Sequence, residues 1–129
     1  MPKKIVAVDD DVHFLELVST VLEEAGYEVR TCADANQAFS LIKEWKPDLL
    51  LLDIWMPDRS GWEILELLQI DPEVRGIPVI FVTAAEMEVK AVERGIMQRY
   101  RQRLRAETLF KPFEMNELLA KVEAAIGKP

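Results

Sequence analysis

Three carboxylates, a hydroxyl and an ammonium each follow a short apolar run. Asp9 and Asp10 come after Ile5–Val8, Asp53 after Leu49–Leu52, Thr83 after Val79–Val82, and Lys111 after Thr108–Phe110. In open α/β sheets, ligands bind beyond the carboxyl ends of the strands. If these runs are parallel strands, the five residues converge on one edge. Converged carboxylates repel, so one must take up a proton or a cation must sit among them. Carboxylate oxygens with few nitrogens and no usable sulfur suit a hard ion, magnesium first and manganese as its substitute. Magnesium keeps several waters, which leaves room for a phosphate oxygen. Lys111 offers a point charge for phosphate and Thr83 a donor hydroxyl. Such a set suits phosphoryl transfer, with a carboxylate as the nucleophile. Taken singly, Asp and Thr are also what turns and helix starts use.

The elements that must position these groups are legible. Short β-branched or Leu-rich runs at Ile5–Val8, Tyr27–Thr31, Leu49–Leu52, Val79–Val82 and Thr108–Phe110 alternate with segments of helical period. Leu15, Val18, Leu22 and Ala25 make one helical stripe, with Gly26 as the expected C-terminal cap. Ala35, Ala38, Ile42 and Trp45 make another, with Asp34 and Gln37 as a capping pair and Pro47 beyond it. Ser60 and Glu63 open a third, which ends before Pro72. Met115, Leu118, Leu119, Val122 and Ile126 mark the last. Repeated strand–helix alternation predicts a parallel sheet with helices on both faces. The first, third and fourth runs are apolar throughout, as central strands buried on both faces must be.

The bulk properties bound the function. A chain of 129 residues suits one domain spanning residues 1–129. A net charge of -7 argues against nucleic-acid binding by this domain, since phosphate contacts need an excess of cations. The single cysteine, Cys32, excludes an internal disulfide and fits a reducing compartment. The opening "MPKKIVAVDDD" is no signal peptide, and "LLLLDIWM" is too short to span a bilayer. A cytoplasmic protein without a membrane partner is expected.

Four stretches, "KIVAVDDD", "PDLLLLDIWMPDRSGWEIL", "IPVIFVTA" and "LFKPF", closely resemble the receiver domain of bacterial two-component response regulators. The resemblance covers nearly the whole chain. It implies the chemotaxis-regulator (CheY-like) fold, a doubly wound, flavodoxin-like five-stranded parallel sheet in the order 2-1-3-4-5 with five helices. It implies that Asp53 is the phosphoacceptor and that Asp9 and Asp10 hold magnesium, with Asp53 and the backbone carbonyl of Trp55 completing the protein ligands. Thr83 and Lys111 would contact the phosphoryl group. Pro57 and Gly61 match the loop after the acceptor, and Pro112 a proline usually preceded by a cis bond. Asp11 matches a position outside the site. The family takes a phosphoryl group from a sensor histidine kinase or a phosphotransfer protein and catalyses its own phosphorylation and hydrolysis. It is a signalling phosphoacceptor rather than an enzyme with a separate substrate. Phosphorylation then switches contact with a downstream protein, an effector domain or a second copy.

The sequence departs from the family in two places. The aromatic switch residue three positions before the lysine is replaced by Thr108. After Gly95-Ile96, where the family passes into its last strand, the chain inserts "MQRYRQRLR", with Arg99, Arg101, Arg103 and Arg105. As a helix continuing from Val89, this extension between helix 4 and strand 5 places Val92, Ile96, Tyr100 and Leu104 on one stripe and Arg101 and Arg105 opposite. Its arginines are read as a modified partner surface rather than a DNA contact. Trp55 and Ala85 offer no group to orient an attacking water, which implies a long-lived phosphorylated form. His13 is read as a surface residue. Two alternatives stay open: a pseudo-receiver that binds partners without phosphorylation, and an aspartyl phosphatase. The second is weakened because Trp55 stands where such enzymes place an acid/base aspartate.

Overall fold

The computed structural model describes residues 2–54, 56, 60–83 and 106–129. Five strands, β1 (Lys4–Val8), β2 (Glu28–Cys32), β3 (Leu49–Leu52), β4 (Val79–Thr83) and β5 (Ala106–Phe110), form one parallel sheet in the order β2-β1-β3-β4-β5. The described helices are α1 (Val12–Glu24), α2 (Ala35–Trp45), α3 (Gly61–Gln69) and, after β5, α4 (Met115–Ile126). The fifth helix implied by the resemblance, between β4 and β5, falls among residues outside the described set, as does the arginine extension.

Strand side chains alternate between two cores. Val6, Val8, Leu50, Leu52, Val79 and Phe81 pack with α2 and α3 through Ala38, Ile42, Ile64, Leu65 and Leu68. Ile5, Ala7, Leu49, Leu51, Ile80 and Val82 pack with α1 and α4 through Leu15, Val18, Leu22, Leu118 and Val122. β3 is buried along its whole length, which is why its sequence is four consecutive leucines. Each such leucine contributes about 1.5–3 kcal/mol of burial. β2 forms an edge of the sheet and is more polar and more exposed.

The helix ends follow the local chemistry. Asp11 caps α1 by accepting from the Phe14 amide, and Gly26 takes a positive φ of 109° just past its C-terminus. Asp34 caps α2 through the Asn36 amide, one residue short of the expected partner Gln37. Ser60 caps α3 through Glu63, and Glu114 and Glu117 form a capping box at α4. Among the described residues no helix is long and apolar enough to cross a membrane.

Candidate functional site

β1 and β3 run side by side with Val8 opposite Leu52, so their next residues are Asp9 and Asp53. Both ladders continue one step beyond the strands. The Asp53 amide donates to the Val8 carbonyl at 2.9 Å, and the Asp9 amide to the Cys32 carbonyl at 3.2 Å. Each aspartate is therefore held by backbone at the carboxyl edge, and both are buried, at 2% and 6% exposure. Asp10 is exposed beside them, and carboxylate oxygens of Asp9, Asp10 and Asp53 lie within 4.8 Å of one another. At that separation two unit charges repel by about 3.5 kcal/mol in an effective dielectric of about 20.

Lys111, just beyond β5, sends its ammonium to Asp9 Oδ2 at 2.8 Å. Three gathered carboxylates are a set that a divalent ion with oxygen ligands would suit. The donor set therefore fits the expected magnesium. Asp9 Oδ1 accepts the Asp11 amide at 2.9 Å. Asp11 belongs to the frame of the site, which the sequence reading left out. Lys111 Nζ also lies 4.1 Å from the centroid of the Phe14 ring, a contact that sequence reasoning missed. The available signal was a lone aromatic one turn past the acidic run.

Gly61 opens α3 against the backbone after the acceptor strand. Its amide donates to the Ile54 carbonyl at 2.8 Å, and a Cβ there would lie 2.3 Å from the Asp53 carbonyl oxygen. Thr83 closes β4 at the same edge, opposite Phe110. The Lys111–Pro112 bond is cis, as the resemblance implies. Thr108 lies on β5 opposite Phe81, whose ring packs on Trp62 at 4.6 Å between centroids. Trp55, Pro57 and the arginines Arg99, Arg101, Arg103 and Arg105 lie outside the described residues. Cys32 is half-buried; its thiol donates to the Asp34 carbonyl, and burial pushes its pKa up.

The sequence profile of the response regulator receiver domain matches residues 5–123. The chain belongs to this family. The polar-differentiation response regulator DivK of Brucella anthropi is 33% identical over 127 residues, a match covering 98% of each chain. The DNA-binding response regulator MtrA of Mycobacterium tuberculosis is 31% identical over 131 residues, and here the receiver spans 52% of the longer protein. In fold, the receiver is similar to that of a sensor histidine kinase from Pseudomonas aeruginosa, with a TM-score of 0.80, 24% identity and coverage of 99% and 100% of the two chains. That structure holds a magnesium ion in its active-site cleft. Receivers are the phosphoacceptor modules of two-component signalling, and phosphorylation and magnesium are typical of them.

Proposed function

We propose that residues 1–129 act as one receiver domain in which Asp53 accepts a phosphoryl group. The gathering of the Asp9, Asp10 and Asp53 carboxylates within 4.8 Å, with Lys111 on Asp9, carries this reading. An Asp53 carboxylate oxygen attacks phosphorus on a phosphohistidine of a sensor kinase or phosphotransfer protein. The O–P bond forms, the P–N bond breaks, and the imidazole leaves and takes a proton from solvent. In hydrolysis a water oxygen attacks the same phosphorus, inorganic phosphate leaves and the carboxylate is restored. Asp9, Asp10 and Asp53 would hold magnesium, which would supply countercharge to the phosphoryl oxygens. Lys111 holds one of those oxygens, and Thr83 donates to another. Manganese would serve by the same oxygen chemistry.

Phosphorylation switches binding to a downstream protein, an effector domain or a second copy, and the four arginines Arg99, Arg101, Arg103 and Arg105 carry a charge that suits an acidic partner. A kinase donor and a free thiol at Cys32 support a cytoplasmic location. The test is a titration with beryllofluoride, a phosphoryl mimic, in the presence of magnesium. Wild type is expected to bind it and Asp53→Asn to lose it. A wild type that ignores beryllofluoride while still binding partners would establish the pseudo-receiver alternative instead.

A further inference from the structure

Lys111 has two partners of different kinds. One is the Asp9 carboxylate at 2.8 Å; the other is the Phe14 ring face, 4.1 Å from the ammonium to the centroid. The ring is fixed from two sides. Phe113 meets it edge-on, with centroids 6.0 Å apart and planes at 88°. Its own backbone amide is bound by Asp11, whose amide is bound in turn by Asp9. Asp9, Asp11, Phe14 and Lys111 therefore close a ring of contacts that includes one member of the acidic cluster, Asp9.

The two partners respond differently when the site fills. Asp9 is one of the carboxylates assigned to the divalent ion, so its charge is then shared. The Phe14 ring has nothing to share with the metal. It attracts an ammonium through its quadrupole and neither neutralises it nor accepts its proton. It also leaves the other N–H groups of the ammonium open to oxygen acceptors.

We propose that Phe14 is a positioning residue for Lys111. It holds the ammonium over the acceptor edge when Asp9 is drawn to the metal, and so presents it to the phosphoryl oxygens. This rests on the reading of Asp53 and Lys111 as the phosphoryl site. Its expected signature is selectivity: the ring contributes to phosphoryl binding and not to magnesium binding.

The test uses the full chain, with magnesium alone and then magnesium with beryllofluoride. Phe14→Leu keeps apolar bulk without the quadrupole. It is expected to leave magnesium affinity within about two-fold and to weaken beryllofluoride affinity about five- to ten-fold, the scale of a partly exposed cation–π contact. Phe14→Tyr, which keeps the ring face, is expected to bind both as wild type does. In wild type the Lys111 ε-methylene protons are expected to be shifted upfield by the ring in NMR spectra, both before and after magnesium and beryllofluoride are added. Equal losses for both ligands in Phe14→Leu, unchanged beryllofluoride affinity, or an upfield shift that vanishes in the loaded wild type would each overturn the proposal. If Phe14→Leu does not fold, the Phe14→Tyr affinities and the wild-type spectra still decide it. Wild type that takes no beryllofluoride at all would instead overturn the phosphoacceptor reading, and this inference with it.

Discussion

Gly61 lets α3 approach the acceptor strand closely enough for its amide to bind the Ile54 carbonyl. The obstacle to any side chain is the Asp53 carbonyl oxygen, 2.3 Å from where a Cβ would sit, and backbone cannot step aside as a flexible side chain can. Gly61→Ala is expected to cost about 1–3 kcal/mol in a denaturant melt and to slow phosphorylation of Asp53 by displacing the loop. At this scale the sequence was legible wherever a polar residue ended an apolar run. Asp9, Asp53 and Lys111 could be placed that way because backbone pairing alone puts strand ends together. The part played by Phe14 was not, because it depends on which way two side chains turn after the chain has brought α1 and the end of β5 together. The need for glycine at residue 61 came from resemblance, and its cause, contact with a carbonyl, is visible only in the fold.

Between elements, Lys43 of α2 meets Asp71, just after α3, at 2.8 Å. The hydrogen bond from Lys43 holds the Asp71 carboxyl below the usual carboxylate range, helped by the backbone amide of Glu73. A carboxylate depressed on folding stabilises above its unfolded pKa, roughly 4, and loses that contribution as pH falls through the folded value. Asp71→Asn is therefore expected to lower the urea midpoint slightly at pH 7 and to match wild type at a pH below the depressed value. Lys43 is half-exposed, so the gap should shrink in high salt. The cap of α3 offers a second check. Ser60→Ala removes the acceptor for the Glu63 amide and is expected to cost about 1 kcal/mol by thermal unfolding. Ser60 was readable as a cap from its spacing, because a cap is made within four residues. The Lys43–Asp71 pair spans two elements and has no such local signature.

At the scale of the whole molecule, one sheet joins two cores, and the acidic cluster stands where its central strands end. Ordered carboxylates that repel one another in the folded state make a divalent ion stabilising. Magnesium at a hundred times its Kd is expected to add about 2.7 kcal/mol and to raise the melting temperature by several degrees. Asp10→Asn, which removes an exposed member of the cluster, should largely abolish that rise. The end of α4 is also tied down from two places. Lys3 donates to the Ile126 carbonyl, and the Tyr27 hydroxyl to the Gly127 carbonyl at 2.8 Å. Tyr27→Phe is expected to cost about 1 kcal/mol in the same melt. By itself the sequence determined the strand order's raw material, the apolar β1, β3 and β4 and the acidic and basic residues at their ends. Periodicity and strand-end position are local properties that burial on two faces imposes directly on residue type. Only the tertiary structure decided which groups touch: Lys111 on Asp9 and Phe14, Gly61 under Asp53, and Tyr27 on Gly127. Those contacts join residues far apart in the chain, and packing rather than local preference selects them.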